Sequence, residues 1–148
     1  MSYISAMLEP SSIRKMVKKT VAAIISAKLN YEAIAVRGNS GVLIDAPLAI
    51  ALKKPIIVIR KSDQNAHSDR AIEYPEMWAN VYPKLNVILI DDGVCRGDTV
   101  DACIRACKEA NITIVGAFMY NQRVINRDPD LQDFIRSKGW SFKVYTDL

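Results

Sequence analysis

The chain has 148 residues, of which 50% are hydrophobic and 24% are charged, a size and composition that fit one globular domain (1–148) with a sizeable core. Its net charge of +4 is too small to indicate a nucleic-acid-binding protein by itself, although it suits a small polyanionic substrate. No apolar run is long enough to span a bilayer and no signal-peptide pattern opens the chain, so we expect a cytoplasmic protein without a membrane partner.

Apolar residues recur at helical spacing from about Ser12 to Leu29, which predicts a first helix capped by Ser11 or Ser12. Residues 33–36 predict a short buried strand, and 39–41 (NSG) predict a turn. A helix is predicted over 42–54, with Pro47 either in its first turn behind an Asp45 cap or at a kink.

The first predicted helix also carries four basic residues on its other side: Arg14, Lys15, Lys18 and Lys19. A solvated helix face is the simplest interpretation, because runs of charge usually have that origin. A nucleic-acid-binding surface is the alternative, which absent or salt-insensitive binding to DNA and RNA would exclude.

The β-branched run at 55–61 predicts a second strand, covered on both faces. The polar stretch 62–83 has no clear period and is too long for a simple connection, so it is either functional or mobile. Further strands are predicted at 86–91, 112–120 and 142–146, with helices at 98–110 and 128–139, the latter stopped by Gly139.

This alternation of helices and strands predicts an α/β fold with a mainly parallel five-stranded sheet and helices on both faces. Ligands bind such sheets beyond the carboxyl ends of the strands. Asp91 and Asp92 end the third predicted strand, residues 37–41 follow the first, and Arg60 and Lys61 close the second. The predicted topology therefore collects three polar segments at one sheet edge.

The stretch VILIDDGVCRGDT, residues 87–99, places two adjacent carboxylates between a buried strand and a helix start. The amides of residues 95–99 and the positive end of the following helix predict an anion site, in which Gly97 permits close approach and Thr99 adds a hydroxyl. A sugar phosphate suits this pairing, with its hydroxyls on the acids and its phosphate on the amides. Simple bracing of the loop by Asp91 is the structural alternative. A phosphorelay receiver is disfavoured because its acids end the first strand.

The same stretch resembles the signature of the type I phosphoribosyltransferases, namely an apolar strand, two acids, a glycine-containing loop and a hydroxyl residue. The segment AVRGNSGVLIDAPLAIALKKPIIVIRK, residues 35–61, is similar to the pyrophosphate loop and second strand of that family. Its RG and VIRK runs look most like adenine phosphoribosyltransferases, and AIEY (71–74) faintly resembles part of their mobile loop. The resemblance covers about residues 33–117.

The resemblance implies a site for phosphoribosyl diphosphate (PRPP), a nucleobase acceptor and Mg²⁺ held mainly through PRPP. By analogy, Asp91 and Asp92 hold the ribose hydroxyls and possible metal contacts, while Glu73 acts on the base or leaving group; an exposed loop carboxylate is the alternative for Glu73. The 5-phosphate loop comprises Cys95, Arg96, Gly97, Asp98 and Thr99. The pyrophosphate site comprises Arg37, Gly38, Asn39, Ser40, Arg60 and Lys61. The family also implies a homodimer and closure of 62–83 over the site.

Several positions depart from the family pattern. Gly93 stands where an apolar residue usually follows the acids, and Arg96 stands where threonine or serine is common. Cys95 replaces the acidic base of the 6-oxopurine enzymes, which disfavours that subgroup, and the chemistry needs no cysteine nucleophile. The base-reading hood is reduced to about ten N-terminal residues and the segment after Tyr120. Four aromatic residues are available to stack on a base or to pack internally: Tyr74, Trp78, Tyr82 and Tyr120.

These features favour transfer of a phosphoribosyl group to a nitrogenous base, preferably a purine such as adenine, in nucleotide salvage. A non-catalytic protein that binds PRPP or nucleotides with the same fold is the alternative.

Overall fold

A six-stranded sheet forms the centre of the molecule. The computed structural model describes residue 5 and residues 7–61, 71–75 and 84–148. The strands are β1 (Ala33–Arg37), β2 (Ile56–Ile59), β3 (Ile72–Glu73), β4 (Leu85–Asp91), β5 (Ile112–Met119) and β6 (Lys143–Tyr145). The helices are α1 (Pro10–Ala27), α2 (Gly38–Leu52), α3 (Asp98–Glu109), α4 (Gln122–Ile125) and α5 (Leu131–Ser137).

The strand order is β3-β2-β1-β4-β5-β6, and every neighbouring pair is parallel except β2 and β3. The α/β class and mainly parallel sheet are confirmed, but the predicted count of five strands is wrong. The sixth strand, β3, has two residues inside the polar stretch 62–83. A pair of residues is too short to produce the alternation by which a strand is recognised in sequence.

Two hydrophobic layers cover the sheet, as expected for a parallel sheet buried on both faces. The layer beneath α1 and α2 is centred on Ile34, Ile88 and Phe118, which are fully buried. The opposite layer includes Cys103 and Cys107 of α3 and Leu131 of α5. The predicted helix over 98–110 is therefore confirmed, and its cysteine pair is part of the core.

Helix boundaries differ from the predictions at the two N-terminal helices. Helix α1 begins at Pro10, and no side chain caps it, so the predicted serine caps are wrong. Proline suits this first position because its missing N–H would have no helical partner there.

Helix α2 begins at Gly38, so the predicted turn at 39–41 is wrong and Pro47 lies inside the helix rather than behind a cap. Gly38 has φ of +69°, which reverses the chain directly from β1 into the helix within one residue. The turn-favouring composition of NSG concealed this abrupt transition.

The C-terminal segment completes the sheet, since β6 pairs with β5 and α5 packs on the α3 side. Gly139, with φ of +66°, follows the end of α5, as predicted. Most of the polar stretch 62–83, predicted to be either functional or mobile, lies outside the described residues, as do Trp78 and Tyr82. Among the helices that the structure describes, none has the length and apolar character needed to cross a membrane.

Burial predicts very different costs for the same substitution at two isoleucines. Ile88→Ala in the fully buried centre of β4 should lower the free energy of unfolding by about 2–5 kcal/mol, because it leaves a cavity between two packed layers. The control Ile50→Ala, at a helix position that is 79% exposed, should change it by less than about 0.5 kcal/mol. Urea denaturation measures both, and equal losses would contradict the two-layer core.

Candidate active site

Two adjacent carboxylates lie at the carboxyl end of β4, near the middle of the sheet. Asp91 is the last residue of the strand and Asp92 follows it; they are only 4% and 8% exposed. Backbone bonds fix both, because the amides of Tyr120 and Asn121 donate to the carbonyls of Asp91 and Asp92 at 3.0 and 2.8 Å. The end of β5 therefore holds the acidic pair in place.

A hydrogen-bonded chain links Asp91 to two other elements. The Ser40 hydroxyl of α2 donates to Asp91 Oδ1 at 2.9 Å, as does the Asp92 amide. The Tyr120 hydroxyl donates to the Ser40 carbonyl at 2.5 Å. Ser40, expected in the pyrophosphate loop, thus uses its hydroxyl to orient an acid, and Tyr120 is 8% exposed and committed to this chain.

The Asp91 carboxyl has an unusual affinity for its proton. Burial, followed by repulsion from Asp92, raises the pKa of Asp91 to about 6, even though hydrogen bonds from the Asp92 amide and Ser40 hydroxyl act to lower it. A raised pKa means that the folded protein pays to ionise this group. Carboxylates in such surroundings are candidates for functional residues.

The loop after the acids forms an anion-binding geometry. Gly97, with φ of +84°, turns the chain into α3, whose first N–H groups have no partners within the helix. A cavity of about 440 Å³ is bounded by Ser40, both acids, residues 93–100 and part of α4. The structure therefore brings together the two acids and the whole predicted 5-phosphate loop. Cys95, Arg96 and Asp98, which are among these lining residues, have exposed side chains.

A C-terminal cluster supports this loop from behind. Asp101 of α3 accepts hydrogen bonds from Lys138 Nζ at 2.7 Å and from Trp140 Nε1 at 2.8 Å. These bonds hold the pKa of Asp101 below its usual range. A Cβ at Gly97 would lie 3.1 Å from Lys138 and Trp140, so a side chain there would have to displace them slightly in addition to adopting a positive φ.

The predicted pyrophosphate residues occupy the ends of β1 and β2. The Lys61 side chain passes over Gly38, where an added Cβ would lie 3.0 Å from its Cε. Arg37 ends β1, and its Nε is buried with no hydrogen-bond partner among the described residues. A buried guanidinium nitrogen without a partner is unusual and suggests that a ligand completes it. Of Asn39 the structure describes only the backbone.

Glu73 does not join the acidic pair. It is in register with the end of β4 but three strands away, a separation of about 14 Å. Its carboxylate lies 3.5 Å from Arg60 Nη1, so two predicted site residues pair with each other at the sheet edge. The neighbouring Tyr74 is likewise in this edge segment.

Within the residues that the structure describes, no group of three or more His, Cys, Asp or Glu side chains is arranged to hold a metal. The protein offers Asp91 and Asp92 as adjacent oxygen donors, which are the ligand type that Mg²⁺ prefers. This donor set fits an ion whose remaining ligands come from phosphates, as the sequence analysis expected.

Two curated enzymes match most of the chain. It is 25% identical over 138 residues to the orotate phosphoribosyltransferase of Pyrococcus horikoshii, covering 93% of this chain and 69% of that one. It is 29% identical over 119 residues to the adenine phosphoribosyltransferase of Ureaplasma parvum, covering 74% and 68%. No family model matches the chain.

The solved structure of adenine phosphoribosyltransferase from Saccharomyces cerevisiae has the same fold, with a TM-score of 0.71 at 16% identity over 95% of this chain and 80% of that one. The orotate phosphoribosyltransferase of Francisella tularensis gives a TM-score of 0.62 at 17% identity, over 93% and 66%. The chain is similar in sequence and in fold to the type I phosphoribosyltransferases. These similarities assign it to the phosphoribosyltransferase class of enzymes.

This phosphoribosyltransferase departs from the family pattern at Gly93 for a packing reason. A Cβ there would lie 2.8–3.0 Å from three side-chain atoms of Ile125 in α4. Glycine therefore lets α4 settle against the acidic loop. The other departure, Arg96, lines the same cavity and has an 88% exposed side chain whose Nε lies 3.5 Å from Asp98.

Gln122, which no sequence motif indicated, is a buried residue that shapes the phosphoribosyltransferase site. Its side-chain oxygen accepts from the Val94 amide at 2.7 Å, and its nitrogen donates to the Val94 carbonyl at 2.9 Å. The N–H and C=O groups of Val94, two residues after Asp92, thus both have hydrogen-bond partners. No local pattern marks such a glutamine, because its partner is 28 residues away.

The packing of Gly93 against Ile125 predicts a compensating pair of substitutions. Gly93→Val should lower the free energy of unfolding by about 1–3 kcal/mol, since Ile125 must move to admit the side chain. In an Ile125→Ala background the same change should cost clearly less. A double-mutant cycle by chemical denaturation measures the coupling, and strict additivity would show that the two side chains do not compete for space.

The raised pKa of Asp91 predicts a stability that falls with rising pH. The folded protein binds more protons than the unfolded chain between the unfolded pKa near 3.8 and the folded value of about 6, so ionisation costs stability across that window. Asp91→Asn, which keeps an oxygen for Ser40 and the Asp92 amide, should raise stability at pH 8 by about 2–3 kcal/mol and have little effect at pH 4. Thermal unfolding against pH measures this, and a variant less stable at pH 8 would refute it.

Proposed function

We propose that this phosphoribosyltransferase transfers a 5-phosphoribosyl group from PRPP to a nitrogenous base and releases pyrophosphate. One observation carries the proposal: two buried carboxylates share a single cavity with the amide-lined start of α3. Carboxylates suit the hydroxyls of a sugar, and helix-start amides suit its phosphate. A sugar phosphate is the small ligand that satisfies both ends of the cavity.

Asp91 and Asp92 are assigned the 2- and 3-hydroxyls of the ribose. Displacement at the anomeric carbon builds positive charge on the sugar, which nearby carboxylates stabilise. The burial that raises the pKa of Asp91 also strengthens its interaction with that charge. The amides of residues 95–99 hold the 5-phosphate, with the Thr99 hydroxyl as a further donor.

The departing pyrophosphate is assigned to the ends of β1 and β2. Lys61 over Gly38 and the unpartnered Arg37 Nε place positive charge there, which supports binding of a polyanion. Arg60 is held by Glu73 at 3.5 Å, so its participation requires that ion pair to be shared or exchanged. That arrangement supports a role for Glu73 in placing Arg60 rather than in contacting the base.

Asp91 and Asp92 would supply the protein oxygens for Mg²⁺ bound to the donor, and the remaining ligands would come from PRPP. The ion, when bound, neutralises charge that develops on pyrophosphate. For the acceptor, a purine such as adenine is proposed; the matched enzymes use either adenine or orotate by name. A cytoplasmic homodimer stays a prediction, which sedimentation and fractionation measure.

Pyrophosphate release from PRPP and Mg²⁺ in the presence of a panel of bases tests the activity. We expect turnover with at least one base, and Asp92→Asn should lower kcat/KM by roughly 100-fold through loss of charge stabilisation. The control Asp133→Asn, on the exposed side of α5, should stay within about twofold.

Calorimetry with PRPP separates two ways in which the assay can fail. Tight PRPP binding without pyrophosphate release for any base would support a non-catalytic binding protein instead. No binding at all, or full activity in the Asp92→Asn variant, would refute the assigned site.

A further inference from the structure

A second cavity lies beside the acidic pair, on the other side of the sheet edge from the phosphate loop. It has a volume of about 390 Å³ and is walled by Met7, Met16 and Met119 together with Tyr120–Val124 and residues of α1; we call it the methionine cavity. Val124 lines both this cavity and the cavity that contains Asp91 and Asp92, so the two cavities are neighbours. Its volume and apolar walls suit a small flat ring.

The position of the methionine cavity matches the geometry of the proposed reaction. The phosphate loop leads into α3, which covers one face of the sheet, whereas the methionine cavity is bounded by α1 on the other face. A ribose held between them by Asp91 and Asp92 directs its phosphate to one side. The acceptor base then approaches from the other, where this cavity opens.

Asn121 is the polar side chain of this cavity nearest to the acids along the backbone. Its amide N–H donates to the Asp92 carbonyl at 2.8 Å, which ties it to the sugar site. Its side-chain Nδ2 donates to the Met7 sulfur at 2.9 Å. Its Oδ1 has no hydrogen-bond partner among the described residues. With Nδ2 directed at the Met7 sulfur, Oδ1 is the amide atom that remains to accept a hydrogen bond.

We propose that Asn121 determines acceptor specificity, with Oδ1 accepting a hydrogen bond from an exocyclic amino group of the base. This inference rests on the proposed phosphoribosyl transfer and narrows its acceptor to amino-bearing rings such as adenine. A 6-oxopurine presents a carbonyl oxygen instead, which repels Oδ1 and leaves it without a donor. Such mismatches at a polar site discriminate more strongly than changes in shape.

Lys15 and Lys19 also line the cavity, and both are exposed residues of α1. Their charge favours the opposite class of acceptor, an acidic ring such as orotate. Exposed lysines remain hydrated and interact weakly, whereas the Asn121 amide is held by backbone and side-chain bonds. The amino-bearing class is therefore the one that the fixed contacts favour.

The test compares kcat/KM for adenine, hypoxanthine and orotate in the full-length protein with PRPP and Mg²⁺. Wild type should prefer adenine over hypoxanthine by at least about 10-fold. Asn121→Leu, of similar volume, should lower kcat/KM for adenine by roughly 10- to 100-fold and collapse the adenine-to-hypoxanthine ratio, with the KM for PRPP within about twofold.

Three further variants separate a role of Asn121 in recognising the base from a role in stabilising the fold. Asn121→Asp keeps the acceptor oxygen and should retain the preference for adenine. Met7→Leu, a volume-conserving change, frees the amide to rotate and should improve hypoxanthine relative to adenine. Asn86→Leu, at the opposite end of β4, is the matched control and should leave the ratio unchanged.

An unchanged ratio in a folded, PRPP-binding Asn121→Leu variant would overturn the inference, as would a wild-type preference for hypoxanthine or orotate. Neither result would contradict phosphoribosyl transfer itself. Absence of pyrophosphate release with every base would overturn the proposed function and this inference together.

Discussion

The burial of two adjacent carboxylates at the end of β4 is the constraint on which the rest of the site depends. Nearly excluded from water, Asp91 and Asp92 repel each other, and this arrangement raises the pKa of Asp91 to about 6. The surrounding chain offsets part of that cost through the Ser40 hydroxyl and the amides that follow β5. A group that is expensive to ionise in the free protein gains most when positive charge forms beside it.

The support of the site comes largely from the C-terminal third of the chain. Gln122 satisfies the backbone after the acids, Ile125 fills the space left by Gly93, and Trp140 with Lys138 backs Gly97 through Asp101. The segment after Tyr120, which the family resemblance assigns to a reduced hood, completes the sheet through β6 and also supports the loop. Small-residue positions in the loop thus reflect close packing as much as access for a ligand.

Some features of the fold and site can be predicted from local sequence patterns, whereas others depend on contacts between distant elements. The acidic pair, the loop 95–99 and the inward face of α3 follow from periodicity and short spacing, and the structure places them together. Two expectations failed because another element decided them. The NSG segment is helical because Gly38 reverses the chain just before it, and the sheet has a sixth strand because β3 pairs with β2. The position of Glu73 beside Arg60 depends on that same pairing.

Local sequence patterns were enough to predict the alternation of helices and strands, the family resemblance and the adjacent acids at the end of β4, because each is encoded in neighbouring residues. The distant groups that complete the site became known from the three-dimensional fold alone. The contacts of Tyr120 with Ser40, Gln122 with Val94 and Asn121 with Met7 span 80, 28 and 114 residues. Such contacts arise when the ends of separate strands meet at one sheet edge, and no local spacing encodes that meeting.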